Sequence, residues 1–136
     1  MAKEKLDRLI AEAQKKMKNA YAPYSGFKVG AAVLGESEKI YSGCNVENAS
    51  FGLTICAERN AVFQAIAAGE TKIQAVLIVS DAESPAPPCG ACRQVLVEFA
   101  ENIPVILQNL SGQRKYFKLH DLLPERFELE KNHEKE

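Results

Sequence analysis

The chain has 136 residues, of which 46% are hydrophobic and 26% charged, a balance typical of one globular domain rather than of a disordered segment. Its 17 basic and 18 acidic residues give a formal net charge of −1, which argues against binding to the phosphate backbone of a nucleic acid. No apolar run approaches membrane-spanning length, and the charged N-terminus lacks the apolar core of a signal peptide. We therefore expect a cytoplasmic protein with a small-molecule substrate and no membrane partner.

Hydrophobic periodicity and turn residues predict the following elements in chain order: a helix at 3–20, strands at 27–34 and 39–46, a helix at 56–68, a strand at 73–79, a helix at 90–101, strands at 104–108 and 115–119, and one helical turn at 120–123. The short connection between the first two strands makes them antiparallel. The strand-helix-strand passage around the helix at 90–101 implies a parallel crossover.

The predicted fold class is therefore α/β, a three-layer α/β/α sandwich around a mixed five-stranded sheet. We expect residues 1–136 to form a single domain. The charged end of the chain, residues 128–136, is expected to fray.

Cysteines point to a metal site. A chain without an export signal uses cysteines more often as thiols or metal ligands than in disulfides. Three of the four cysteines fall in two motifs, Cys56-Ala57-Glu58 and Pro88-Cys89-Gly90-Ala91-Cys92, and each motif begins a predicted helix. The partial positive charge of a helix N-terminus favours thiolates. Three thiolates from two helix starts can hold one metal ion and leave its fourth position open, as catalytic zinc requires.

Two other interpretations of the C-x-x-C motif compete with this one: a redox pair, or half of a structural zinc site. The redox interpretation leaves Cys56 and Glu58 without a role. A structural site needs a fourth ligand, and the candidates are poor: Cys44 is expected to be a small buried residue, and His120 and His133 to be solvated. Glu58 follows a ligand by two residues, so it can face the metal without binding it, as a proton shuttle must.

The two motifs match the zinc deaminase pattern, H-x-E followed by P-C-x-x-C, in the variant that replaces the histidine by cysteine. Four ordered segments carry the match further: Phe27–Ala32, Gly43–Ala49, Cys56–Arg59 and Pro88–Gln94. Together they resemble the cytidine deaminase family in its short, all-cysteine, homotetrameric form, over about residues 21–127. The resemblance implies one Zn²⁺ per subunit, held by Cys56, Cys89 and Cys92, with Glu58 as the catalytic residue.

The resemblance also implies how a nucleoside substrate is bound. It assigns substrate contacts to five residues: Phe27, Asn45, Val46, Glu47 and Ala57. Phe27 would pack on the pyrimidine ring, and Asn45 with Glu47 would hydrogen-bond the ribose hydroxyls. Phe51 and Phe127, ordinarily core residues, would reach into the pocket of a neighbouring subunit.

The implied reaction is the hydrolytic deamination of cytidine and deoxycytidine to uridine and deoxyuridine, with release of ammonia, in pyrimidine salvage. Zinc would lower the pKa of water, and Glu58 would carry protons to ring N3 and to the departing amine. Three thiolates make this zinc a weak acid. Arg59 and Arg93, each beside a ligand, can donate to the sulfurs and withdraw charge; the resemblance implies this for Arg59, and a surface arginine is an equal alternative for Arg93.

Three other functions remain open at this stage. The substrate can be another aminated base or nucleoside, such as blasticidin S, or a nucleotide, although Glu47 would repel a nearby phosphate. A polynucleotide editor is disfavoured by the near-neutral charge, since the small basic cluster of Arg114, Lys115 and Lys118 would hardly hold a nucleic-acid backbone. A purely structural zinc module is disfavoured by the intact C-x-E motif.

Overall fold

The structure, a computed structural model, describes residues 1–131. Its helices and strands are α1 (Lys3–Met17), β1 (Val29–Gly35), β2 (Ile40–Cys44), α2 (Ala57–Ala67), β3 (Ile73–Ser80), α3 (Gly90–Phe99), β4 (Pro104–Asn109), β5 (Arg114–Lys118) and α4 (Leu119–Leu122). Every predicted element is present, with boundaries shifted by a few residues. The predicted loop at 47–54 contains a 3₁₀ turn, Phe51–Leu53.

The five strands form one mixed sheet in the order β2-β1-β3-β4-β5. β1 runs antiparallel to both β2 and β3, and β5 runs antiparallel to β4. β3 and β4 are parallel and are connected through α3, as the strand-helix-strand passage predicted. Residues 81–89 therefore lead from the carboxyl end of β3 to the start of α3.

α1 covers one face of this sheet. Leu9, Ala13 and Met17 recur at helical spacing and pack against sheet residues such as Leu77. Gly30 in β1 lets the helix approach the sheet, because a Cβ atom there would lie 2.0 Å from the Ala13 carbonyl oxygen. The core cluster beneath α1 is apolar, so it stabilises the fold by burial of hydrophobic surface.

α2, α3 and α4 cover the opposite face and complete the predicted three layers. Their buried side chains, among them Ala61 and Leu96, pack with Ile78 and Leu107 of the central strands. Gly43 in β2 admits α2, since a Cβ atom there would lie 2.8 Å from the Ala61 backbone nitrogen. The N-termini of α2 and α3 carry the two cysteine motifs, so this face positions the candidate site.

The prediction that Cys44 is buried is wrong, and burial also excludes the core alternative for two phenylalanines. Cys44 is half-buried rather than buried, because it ends β2, which is an edge strand. Phe51 and Phe127 are 66% and 67% exposed, so neither belongs to the core of a single chain. His120 is exposed, as predicted, whereas His133 lies outside the described residues, as does most of the expected tail at 128–136. Within residues 1–131, no helix has both the length and the apolar character needed to span a bilayer.

Candidate metal centre and active site

The three motif cysteines converge where α2 and α3 begin. Cys56 and Cys89 are the N-cap residues of the two helices, and Cys92 lies in the first turn of α3. The Cys89 Sγ atom lies 3.9 Å from that of Cys56 and 3.4 Å from that of Cys92. Three sulfurs at tetrahedral positions, each about 2.3 Å from one zinc, are about 3.8 Å apart. The spacing therefore fits one zinc ion with three thiolate ligands.

The backbone at both N-caps explains how the sulfurs come to face one point. Cys56 and Cys89 both have extended backbone conformations immediately before helical residues. The Cys89 sulfur accepts a hydrogen bond from the Cys92 N–H at 3.5 Å, which replaces the oxygen acceptor usual at an N-cap. Free N–H groups and the helix dipole place positive potential at these sulfurs, which stabilises thiolates.

Arg59 lies against the same cluster. Its Nη2 atom donates to the Cys56 sulfur at 3.5 Å and to the Thr54 carbonyl at 3.5 Å. A hydrogen bond with the Cys92 thiol, reinforced by the Arg59 guanidinium, lowers the pKa of the Cys56 thiol to about 5. The same hydrogen bond, together with burial, raises the pKa of Cys92. Negative charge in the cluster is therefore concentrated on the sulfur that Arg59 contacts.

Arg93 is arranged differently. Its Nε atom donates to the Pro88 carbonyl at 2.8 Å and its Nη1 atom to the Leu122 carbonyl at 2.9 Å. The expectation that Arg93 donates to the thiolates is wrong, because its guanidinium is turned toward two backbone carbonyls. The alternative, a surface arginine on a helix, describes Arg93 only in part, because its side chain is half-buried and two of its donors are engaged.

Glu58 lies in the first turn of α2 and is only 5% exposed. Burial, together with the nearby Cys56 sulfur, raises the pKa of its carboxyl to about 7, although a backbone hydrogen bond and one from the Cys92 side chain oppose the shift. Glu58 is not part of the three-thiol group, which is the one cluster of three or more potential metal ligands within residues 1–131. A buried carboxyl beside a metal site, with a pKa close to neutral, can both accept and release a proton.

Asn45 and Glu47 lie side by side where the chain leaves β2, and both are buried. Asn45 accepts from the Val29 N–H at 2.9 Å and donates to the Phe27 carbonyl at 2.8 Å. These bonds take the place of strand pairing and explain why β1 begins at Val29 rather than at Phe27.

Glu47 fixes the turn that precedes Phe27. One carboxylate oxygen accepts from the backbone N–H groups of Tyr24 and Ser25, at 2.9 and 3.1 Å, and the other accepts from the Ser25 hydroxyl. The Ser25 hydrogen bond lowers the pKa of Glu47. A carboxylate oxygen has more than one acceptor position, so Glu47 retains capacity for a further donor such as a sugar hydroxyl.

The remaining predicted substrate residues lie around this segment. The Phe27 ring is 37% exposed, and its backbone N–H donates to the Ser25 hydroxyl at 3.0 Å. Val46 exchanges backbone hydrogen bonds with Ile55 at 2.9 and 3.0 Å, which ties the substrate segment to the residue before Cys56. Ala57 is fully buried in the first turn of α2, so neither its side chain nor its backbone is exposed in a single chain, and its predicted substrate contact stays a prediction.

Sequence reasoning missed two features of the site. Ser25 joins Glu47 to Phe27 through its hydroxyl; its position two residues before the predicted aromatic substrate contact was the available signal. The link from Arg93 to Leu122 spans 29 residues, and no local pattern indicates it.

Comparisons with known proteins agree with this geometry. A family model for the zinc-binding region of cytidine and deoxycytidylate deaminases matches residues 3–107. A cytidine deaminase from Sporosarcina psychrophila is 47% identical over 126 residues, which are 92% of this chain and 93% of that protein. A probable cytidine deaminase from Dictyostelium discoideum is 42% identical over 133 residues, 96% of this chain and 88% of that protein.

Solved structures show the same fold. The crystal structure of cytidine deaminase from Burkholderia pseudomallei matches with a TM-score of 0.86 at 45% identity and covers 93% of this chain and 100% of that one. Cytidine deaminase from Mycobacterium tuberculosis matches with a TM-score of 0.78 at 38% identity, covering 91% and 98%. The family match includes all three cysteines and Glu58. By sequence, fold and cysteine cluster, this chain belongs to the cytidine and deoxycytidylate deaminase family.

Proposed function

We propose that this protein is a zinc-dependent hydrolase that deaminates cytidine and deoxycytidine to uridine and deoxyuridine. The observation that carries the proposal is the buried Glu58 carboxyl beside three thiols from two helix starts. Relatives named cytidine deaminase, 42 to 47% identical to this chain, support a cytosine nucleoside as substrate.

Cys56, Cys89 and Cys92 would hold the zinc ion, because their mutual spacing suits one tetrahedral ion and soft thiolates favour zinc over harder cations. When bound, the ion supplies Lewis acidity that lowers the pKa of water at its open position. Arg59 would moderate the surplus negative charge of three thiolates through its contact with the Cys56 sulfur.

Glu58 is the proposed proton carrier. It takes a proton from the attacking water and delivers it to ring N3, which makes C4 more electrophilic. A bond forms between the water oxygen and C4. Glu58, now deprotonated again, takes the remaining proton from the hydroxyl on C4 and transfers it to the amino group; the C4–N bond breaks, the C4 carbonyl forms, and ammonia leaves. Burial serves this role because it brings the pKa of the carboxyl to about 7, close to the pH at which it works.

Phe27, Asn45 and Glu47 are the proposed recognition residues. The half-exposed Phe27 ring offers an apolar surface for the pyrimidine, while Glu47 offers an acceptor for a ribose hydroxyl. A free base leaves this acceptor unpaired, so the site should favour nucleosides over cytosine. The lowered pKa of Glu47 keeps it negative, which disfavours a phosphate close by.

We also propose that the active form is a homotetramer with one zinc ion per subunit. Phe51 and Phe127 support it, because both rings are mostly exposed in one chain and large exposed aromatics are typical of interfaces. Tyr24, whose backbone binds Glu47, packs edge-on against Phe51 with ring centroids 5.9 Å apart. An aromatic interface there would lie next to the substrate residues. The cytoplasmic location and the place in pyrimidine salvage remain predictions from the family resemblance.

The experiment that tests the proposal follows ultraviolet absorbance when zinc-loaded protein is mixed with cytidine, free cytosine or cytidine monophosphate. We expect rapid conversion of cytidine and little change in the other two. A matched Glu47→Gln variant should lose most of its efficiency on cytidine while retaining zinc. Failure of protein with bound zinc to convert cytidine would contradict the proposed substrate.

A further inference from the structure

Residues 81–89 lead from β3 to Cys89 at the proposed metal site, and they have few backbone N–H groups that could hold the segment in place. The segment contains three prolines, Pro85, Pro87 and Pro88, and a proline has no backbone N–H to donate. The segment is instead anchored by side chains that donate to its carbonyls. Asn109 donates to the Glu83 carbonyl at 2.7 Å near one end, and Arg93 donates to the Pro88 carbonyl at the other.

The Arg93 bond holds the residue that immediately precedes the proposed ligand Cys89. The Pro88 carbonyl belongs to the planar peptide that leads into Cys89, so fixing this carbonyl fixes the plane from which Cys89 starts. Cys92 sits buried within α3, whereas Cys89 is exposed at the N-cap. Within α3, the backbone N–H groups of Cys92 and Arg93 hold the Cys89 sulfur and carbonyl. The Arg93 side chain adds a restraint on the peptide that precedes Cys89.

The other end of the guanidinium reaches the C-terminal part of the chain. Arg93 Nη1 donates to the Leu122 carbonyl at the end of α4, and α4 is seated in the core by the fully buried Leu119. The next residue, Gln94, donates to the Phe127 carbonyl at 3.0 Å. Two consecutive side chains that follow Cys92 thus fasten residues 119–127 to the helix that carries the ligands.

We propose that Arg93 is a positioning residue for the zinc site. Its bond to the Pro88 carbonyl directs the Cys89 sulfur toward Cys56 and Cys92, and its bond to the Leu122 carbonyl couples that arrangement to the C-terminal segment. Arg93 acts through two directional hydrogen bonds, whereas Arg59 acts through its charge at a sulfur. The inference rests on the proposed zinc site.

The test compares zinc affinity, measured by competition with a chromophoric chelator, and the absorption spectrum of the cobalt-substituted full-length protein. The variants are Arg93→Met, which removes the donors, and Arg93→Lys, which keeps the charge. Arg59→Met and Arg59→Lys are the matched pair at the charged contact, and Arg8→Met is the surface control. Thermal unfolding of each apo-protein reports whether it is folded.

We expect Arg93→Met and Arg93→Lys to lose zinc affinity alike, by about 10- to 100-fold, the range usual for residues that support metal ligands. Both should alter the cobalt–thiolate spectrum, because a compact ammonium cannot span the two carbonyls as a planar guanidinium does. Arg59→Lys should retain more affinity than Arg59→Met. If Arg93→Met does not fold, the comparison of Arg93→Lys with the parent protein still tests the positioning role.

Parental affinity and an unchanged cobalt spectrum in Arg93→Lys would overturn the positioning role, because charge alone would then suffice. Unchanged affinity in both Arg93 variants would overturn it as well. Absence of zinc binding by the parent protein would instead contradict the proposed function, so the two failures are distinguishable.

Discussion

The two faces of the sheet are built on the same plan and used differently. Each face receives a helix over a glycine, Gly30 beneath α1 and Gly43 beneath α2. In the described part of the chain, the α1 face is mainly apolar and buries only the neutral side chains of Ser42 and Gln108 beside its core, whereas the α2 and α3 face buries Glu58 and Cys92 at its edge. Stability and chemistry are therefore divided between the faces, and the reactive groups lie where helices begin.

The difference has an energetic basis. An apolar contact stabilises in proportion to the area that it removes from water, but a buried carboxyl or thiol carries a desolvation cost unless it is paired. The α2 and α3 face meets this cost with hydrogen bonds from Arg59 and with the positive potential at two helix starts. None of the residues assigned to the chemistry lies in the apolar cluster beneath α1. Loss of packing in that cluster should therefore affect folding and leave the chemistry intact.

Removal of zinc should cause the largest loss of activity, and its effect should be confined to the face covered by α2 and α3. Dialysis against a strong chelator is expected to abolish turnover, because the remaining residues supply no Lewis acid. Zn²⁺ should restore it and Mg²⁺ should not, since hard cations bind thiolates poorly. The measurement is cytidine turnover before and after readdition of each ion. Full activity in protein shown to be free of metal would contradict the assignment of the chemistry to a zinc site on the α2 and α3 face.

The two glycines offer a matched pair of variants. Gly30→Ala and Gly43→Ala each place a methyl group against a helix, and each should lower the free energy of unfolding by about 1–3 kcal/mol, the usual range for overpacking. Gly43→Ala should also lower zinc affinity and kcat, because α2 begins at Cys56 and contains Glu58. Gly30→Ala should leave kcat per folded molecule unchanged.

Chemical denaturation gives the stabilities of this pair, and active-site titration normalises the rates. Equal losses of kcat in both variants would show that the two faces are not independent.

Arg59→Ala tests whether the Arg59 guanidinium offsets the negative charge of the three thiolates. Loss of the guanidinium leaves three thiolates without a contacting cation, so zinc affinity or turnover should fall by about 10- to 100-fold. Chelator competition and steady-state kinetics measure the two quantities. Parental values for both would refute the charge-moderating role of Arg59.

The smallest effect is expected at a charged contact on the α1 side. Lys5 of α1 forms an exposed ion pair with Glu38 at 2.7 Å. Lys5→Ala should change the free energy of unfolding by no more than about 1 kcal/mol, because solvent screens such pairs. Urea denaturation would measure it, and a clearly larger loss would mean that α1 is held by more than its apolar stripe.

Local patterns predicted most of the fold and the metal ligands. The C-x-E motif places Cys56 at the start of one helix, and the C-x-x-C motif places Cys89 and Cys92 at the start of another. These local spacings were enough to predict the three candidate metal ligands. The sheet followed from short connections and from one strand-helix-strand passage. Such features depend on residues that are close together in the sequence, so the sequence alone can predict them.

Predictions failed where the partner was distant or depended on burial. Arg93 was assigned to the adjacent thiolates, but its guanidinium bonds the Leu122 carbonyl 29 residues away. For Phe51 and Phe127, hydrophobicity alone favours the core, and their exposure excludes that alternative, while their predicted place in a neighbouring subunit's pocket stays a prediction. The anchoring of Phe27 by Asn45 likewise depends on how β1 and β2 meet.

The most direct test of the central claim compares kcat for cytidine in the parent protein and in Glu58→Gln, with zinc content measured in both. The amide keeps the size of the side chain but cannot carry protons. We predict one zinc ion per chain in both proteins, and a fall in kcat of about a hundred- to ten-thousandfold in the variant. Near-parental turnover by zinc-loaded Glu58→Gln would contradict the account, because proton transfer would then not pass through this residue.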